Sequence, residues 1–360
     1  MESKQQKARD NVLQLQVETM NVGLSKLDVE NMLKQERELL MRDMQLLAIE
    51  EMDKRLSIFG NIALEKIVKA EVTNSFSDPA IQIFLRDTER AAVSSERELD
   101  YEVLSELLIH RVENKNDFTK KAALKKIVDN ISLISDEALL GITLLFLAES
   151  IFPMSGNIEE GLQAIDDMYK NIISNNELPH TQDWINNLEI LGLVKIVPFT
   201  AKMRLDDYYF KSLNGYFCTG IKKDTEQYSN SVDKLKSVSL PLDLLSPNNM
   251  IDGYVRLPIS KLKDFDNLRI FDHSTHEYIS LNEEQKNVLD SICDDYDKSF
   301  EASNTVKDNY KKLFENYTEI QKVISWYNEY TKSDISLNLA GEVLAHCNAK
   351  RLYSSLPDVK

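Results

Sequence analysis

The chain is short of the residues that staple or punctuate a fold. Its 360 residues include only 10 Gly, 8 Pro and 3 Cys. Cys218, Cys293 and Cys347 are far apart and odd in number, which argues against a disulfide framework and for reduced thiols. So little Gly and Pro excludes collagen-like and low-complexity classes. Gly156 and Gly161 have the spacing of neither a P-loop nor a dinucleotide fingerprint, and no Gly-x-Ser-x-Gly elbow occurs. A membrane-length apolar run is missing too. Leu139–Phe152 contains Gly141, Thr143, Glu149 and Ser150 and stops at Pro153, short of the roughly 20 residues a span needs. The polar opening Met1-Glu2-Ser3-Lys4 lacks the apolar heart of a secretory signal. A cytoplasmic protein with no membrane association is therefore expected. Basic charge is also in deficit: 43 Lys and Arg face 59 Asp and Glu, a net charge of −16, which disfavours phosphate-driven nucleic-acid binding.

What is present is apolar mass. Hydrophobic residues make up 42% and charged residues 28%, the balance of a chain that can bury a core. The length suggests two or three domains. In the first segment, 1–24, Leu13, Leu15 and Val17 alternate with Gln14, Gln16 and Glu18, the period of a strand, and Gly23 ends it. A lone strand offers an unpaired edge, so this segment is read as an oligomerisation element. From Ser25 a helix is predicted to about Phe59. Its apolar residues fall in pairs, Met32-Leu33, Leu39-Leu40 and Leu46-Leu47, repeating every seven residues. Two readings stay open: self-association through Leu33, Leu40 and Leu47, or a wide stripe buried inside a helical domain.

Asp78-Pro79 starts a further helix, Leu99 to Val112 marks an amphipathic one, and Asn116-Asp117 caps a third. That third helix carries a basic face, Lys120, Lys121, Lys125 and Lys126, of the kind that is solvated or meets an acidic partner. Ser135 opens a helix so apolar that it belongs at the centre of a bundle, and Asn157–Ser174 gives one more. Residues 25–178 read as an all-α domain. Residues 179–280 read as a winged-helix-like α+β region: a helix over Thr181–Leu191, a strand at Leu193–Val197, and a hairpin from Tyr208–Phe210 and Leu213–Phe217. The helix has no Lys or Arg, so a structural or protein-binding role is preferred over DNA reading, for which Lys195, Lys202 and Arg204 are the candidate contacts. In 281–360, Asn282 caps a helix. Val306, Tyr310, Leu313, Tyr317, Ile320, Ile324 and Tyr327 then keep the 3.5-residue repeat of a coiled-coil seam over a long helix, Ser303–Tyr330, for which an antiparallel hairpin with 283–300 is preferred to self-association. The fold class is mainly α, with a helical bundle, a winged-helix-like middle and a C-terminal helical hairpin.

Catalytic chemistry is hard to find. His273, His276 and Glu277 are the best metal-like set, but no third His or Cys lies near, and a polar turn between two extended runs is the preferred reading. His346-Cys347 are helix neighbours that point apart and form no dyad. Asp290, Asp294, Asp295 and Asp297 read as a solvated acidic face. No cofactor is expected. The preferred function is a non-enzymatic, self-associating component that binds another protein. A winged-helix nucleic-acid regulator and a cryptic metal-dependent enzyme are the alternatives.

Three stretches carry a family likeness: Asp10-Asn11 with the alternating run to Gly23-Leu24-Ser25; Glu113-Asn114-Lys115-Asn116-Asp117 into Lys120-Lys121-Ala122 and Ile134-Ser135-Asp136-Glu137-Ala138; and Leu337-Asn338-Leu339-Ala340-Gly341 with Ala345-His346-Cys347-Asn348-Ala349-Lys350. They resemble an uncharacterised bacterial accessory-genome family similar in layout to the abortive-infection alpha group. Relatives tend to open Gly-rich, where this chain has Lys7-Ala8-Arg9-Asp10. The resemblance implies a bacterial cytoplasmic accessory protein tied to phage defence. It supplies no catalytic residue.

Overall fold

The computed structural model describes residues 26–174, 176–266, 268–272, 276–330 and 333–357. The expected strand with Leu13, Leu15 and Val17 lies outside them. Helices dominate. They are α1 (Lys26–Lys69), α2 (Pro79–Ser94), α3 (Glu98–Glu113), α4 (Phe118–Asn130), α5 (Asp136–Ser150), α6 (Ile158–Ile173) and α7 (Asp183–Ile190), then α8 (Leu205–Ser212) and α9 (Glu226–Ser237), and finally α10 (Glu283–Asp294), α11 (Phe300–Phe314), α12 (Thr318–Tyr330) and α13 (Leu339–Leu352). Short strands punctuate the middle: β1 (Val194–Ala201), β2 (Ile221–Lys222), β3 (Ser246–Pro247), β4 (Tyr254–Arg256), β5 (Arg269–Asp272), β6 (Glu277–Ser280) and β7 (Ser333–Leu337). The fold is mainly α, as expected.

Local chemistry sets many of the helix starts. Asp78, Asp117, Ser135, Asn157 and Asn338 each accept a backbone N–H of the first turn that follows, and Asn282 forms a full capping box with Gln285. Pro79 sits at the first helical position, where its missing N–H costs nothing.

Packing follows two cores. The first centres on α5, in which every residue from Ala138 to Ala148 is buried. Helices α13, α7 and α6 wrap it, and α3, α4, α11 and α12 complete the same core. Gly141 lets α7 close in: a Cβ there would fall 2.4 Å from the Trp184 ring. The second core lies around the β2–β4–β3 sheet with α9 and α10, and holds Cys218, Leu235, Val255, Leu257, Leu289 and Ile292. Arg256 stitches the two. It is 4% exposed, and its guanidinium donates to the carbonyls of Gly215, Leu257 and Ile259 and, at 2.6 Å, to that of Gly156.

Three expectations need correction. Tyr208–Phe210 and Leu213–Phe217 form no hairpin. Leu205, Tyr209 and Leu213 are buried at a spacing of four, the face of a helix, and α8 occupies that position. Strand β1 therefore finds its partner far away, in β7, antiparallel with Val194 opposite Leu337 and Ile196 opposite Ile335. The winged-helix-like reading falls with the hairpin. The long C-terminal helix is also broken. Residues 315–317 turn, and Asp166 of α6 accepts the N–H groups of Glu319 and Ile320 at 2.9 Å each, capping α12 from another helix. Nor does 283–300 pack back on it as a hairpin: α10 belongs to the second core, while α11 and α12 belong to the first.

One buried ion pair ties the α2–α3 loop to the start of α5. Arg97 chelates Asp100, which is 0% exposed, and also donates to Asp136 and to the Ile131 carbonyl. Burial pushes the Asp100 carboxyl above its ordinary value, while hydrogen bonds from Ser95 and Arg97 pull the other way. Arg97→Ala is expected to lower stability by about 3 kcal/mol at neutral pH, because it strands a buried carboxylate. The raised folded-state pKa of Asp100 sets the sign with pH. Protonation relieves the stranded charge, so the loss shrinks as pH falls through that pKa and is largest above it. Urea unfolding of both chains across pH measures this.

Candidate functional site

Helix α1 is 44 residues long, about 66 Å at 1.5 Å per residue, yet only its last part touches the body. Phe59, Ala63 and Ile67 are buried, and the helix packs there on α3 and α2. Contact begins at Arg55, whose guanidinium donates to the carbonyls of Val93 and Ser95. N-terminal to that point the helix stands away from the other described residues. Leu33, Leu40 and Leu47 are 51%, 56% and 66% exposed, and Met32, Leu39, Met41, Met44, Leu46, Ile49 and Met52 are exposed with them. The reading in which these pairs line a stripe buried within the chain does not hold. Isolated exposed Leu residues are ordinary, but a run of exposed apolar side chains from Met32 to Met52 on a helix packed only at its far end marks a candidate interaction site. Burying half of one such side chain contributes about 1 kcal/mol, so the arm leaves on the order of 10 kcal/mol of apolar burial unrealised.

The other candidates sort differently. His273 lies outside the described residues. His276 occupies the exposed turn between β5 and β6 with φ 58°, and Glu277 is exposed at the start of β6. Among the described residues no group of three or more His, Cys, Asp or Glu is placed to hold a metal ion. The lysine face is largely engaged. Lys125 pairs with Asp87 at 3.3 Å and Asp129 at 2.5 Å, and the hydrogen bond to Asp129 raises its pKa. The Lys121 ammonium sits 4.8 Å over the Phe118 ring, and the Lys126 amine lies against the Gly192 turn, 2.6 Å from where a Cβ would stand. Of the contacts considered for DNA, Lys202 is 9% exposed and pairs with Glu149 at 2.7 Å, and Arg204 pairs with Asp206 at 3.1 Å. The helix offered as the reader, α7, buries Trp184, Ile185 and Leu188 in the first core. The acidic face of α10 is met by lysines as well: Lys263 bridges Asp290 and Asp294, and Lys234 pairs with Asp295.

One concave feature escaped the sequence. Helices α3, α4, α5 and α13 enclose a cleft of about 380 Å³ lined by His110, Glu113, Lys120, Phe146, Glu342 and His346. The two imidazole rings meet edge-on at 5.9 Å. The His346 Nε2 donates to the Pro357 carbonyl at 3.0 Å, which places the proton on that nitrogen. His110-x-x-Glu113 and Glu342-x-x-x-His346 are local pairs at helical spacing, and only tertiary packing joins them. Among the described residues, no helix is long and apolar enough to cross a membrane.

Fold and site together define a mainly helical protein whose most distinctive surface is a projecting apolar helix. The chain belongs to an uncharacterised family whose model matches residues 23–357. Comparison with curated proteins and with solved structures gives no match.

Lys202 is expected to act on stability rather than on nucleic acid. Lys202→Ala should lower the unfolding free energy by about 2 kcal/mol by leaving Glu149 half-satisfied. It should leave electrophoretic mobility of a DNA duplex at low ionic strength the same as with the parent chain.

Proposed function

We propose that this protein is a non-enzymatic, self-associating interaction component, and that the exposed apolar arm of α1 carries the association. The supporting observation is the exposure of Leu33, Leu40 and Leu47 on a helix that the other described residues leave uncovered. A stripe repeating every seven residues suits another helix better than a small ligand. The burial available, on the order of 10 kcal/mol, is comparable with the cost of bringing two chains together. On this reading the body is a rigid base and the arm its working surface. The acidic chain, net −16, with Lys125 of its basic face held by Asp87 and Asp129, favours protein over nucleic acid as a further partner.

The test is the mass in solution. Sedimentation velocity should give a species larger than one chain. The triple variant Leu33→Glu, Leu40→Glu, Leu47→Glu should sediment as a monomer with the same melting temperature, because none of the three packs on the body. A monomeric parent chain would sink the proposal.

From the resemblance of three sequence stretches to the abortive-infection alpha group, we further propose that this component serves bacterial anti-phage defence in the cytoplasm. Expressed with its neighbouring genes in a bacterial host, the parent chain should lower phage plaquing at least tenfold, and the triple variant should restore it.

A further inference from the structure

We infer that two copies of the chain pair their α1 arms antiparallel, in one register centred on Arg42. This rests on the proposed self-association and specifies its geometry. The seam that holds Leu33, Leu40, Met44 and Leu47 also holds four charged residues: Arg37 and Glu51, the latter paired with Arg55 of its own helix at 3.1 Å, and at its two ends Glu30 and Lys54. A parallel pair would set Arg37 against Arg37 and Glu51 against Glu51 of the second copy, burying like charges face to face. An antiparallel pair centred on residue 42 sets Leu40 opposite Met44, Arg37 opposite Leu47 and Leu33 opposite Glu51. In that register Arg37 and Glu51 of opposite chains are one turn apart, about 6 Å along the axis, within reach of a long guanidinium.

The body supplies a second, independent reason. The seam continues along α1 to Ile58, which already packs against the first core. A parallel partner would run into the body there and have to splay away. In the antiparallel register residues 30–54 of one arm lie along residues 54–30 of the other. Only the first turn of each helix, Lys26–Val29, then reaches alongside residues 55–58, where contact with the other body begins. Length, charge and apolar seam share one centre.

The four apolar seam residues, each about half exposed, offer roughly 800 Å² over both arms, which is the scale of a small interface. The bodies then sit at opposite ends of the paired arms.

Disulfide trapping tests the register, since bridged Cα atoms must lie within about 7 Å. The native cysteines, Cys218, Cys293 and Cys347, are all buried and do not compete. A Leu33→Cys chain and a Glu51→Cys chain, co-expressed with different tags and mildly oxidised, should give a covalent heterodimer as the main product. Leu33→Cys alone should not crosslink, because the two positions 33 lie about 27 Å apart in this register. Sedimentation of each variant, reduced, reports association separately. A dimer in which Leu33→Cys crosslinks to itself, or in which the mixed pair fails to crosslink, overturns the antiparallel register and leaves self-association standing. A monomer in sedimentation overturns both.

Discussion

A helix that is apolar on every side must be enclosed on every side, and α5 imposes that demand on the rest of the molecule. From Ala138 to Ala148 it offers no solvent-facing stripe. Neighbours in sequence supply only part of the cover, through α6 and α7. The remainder comes from α13, near the far end of the chain, whose Ala340, Leu344, Ala345 and Cys347 are buried. Bringing α13 home places β7 beside β1 and seats α11 and α12 in the same core. The long-range strand pairing follows from the need to cover one helix. Polar groups gather at its C-terminal end. The Glu149 carboxylate meets Lys202 and the Tyr327 hydroxyl, and its carbonyl accepts from Tyr208.

The same demand explains why α1 is left unpaired for much of its length. The faces of α2 and α3 that remain can hold only the turns around Phe59, Ala63 and Ile67. Beyond Arg55 the helix has no body to lie on. Its apolar pairs keep heptad spacing where no other helix of the described residues meets them. Rigidity matters here. A helix anchored at one end presents its side chains in fixed geometry, so less ordering entropy opposes association than for a flexible tail.

Much of this was legible locally. Asp78-Pro79, Asn116-Asp117, Ser135, Asn157 and Asn282 announce helix starts because a short polar side chain beside its own backbone needs no distant partner. The apolar run at 139–148 announced a central helix, and the pairs at 32–33, 39–40 and 46–47 announced a seam. The errors have one origin. Tyr208-Tyr209-Phe210 has strand composition, but Leu205, Tyr209 and Leu213 answer to a core that only tertiary packing creates. The repeat from Val306 to Tyr327 is unbroken in sequence, yet Asp166, far away on α6, caps the break. The cleft between α3 and α13 joins His110 to His346 across most of the chain.

By itself, the sequence determined the class of fold, the central helix, the caps and the heptad-spaced apolar residues of α1. These depend on periodicity and on contacts within a few residues, which are written in linear order. Tertiary structure decided which apolar stripe is spent on the core and which is left over. Leu33 and Phe59 lie on one helix and are equally apolar, and only the presence of α2 and α3 beside the second separates a packing residue from an interaction residue. Burial is a property of neighbours, and neighbours from distant segments are set by how the whole chain closes around α5.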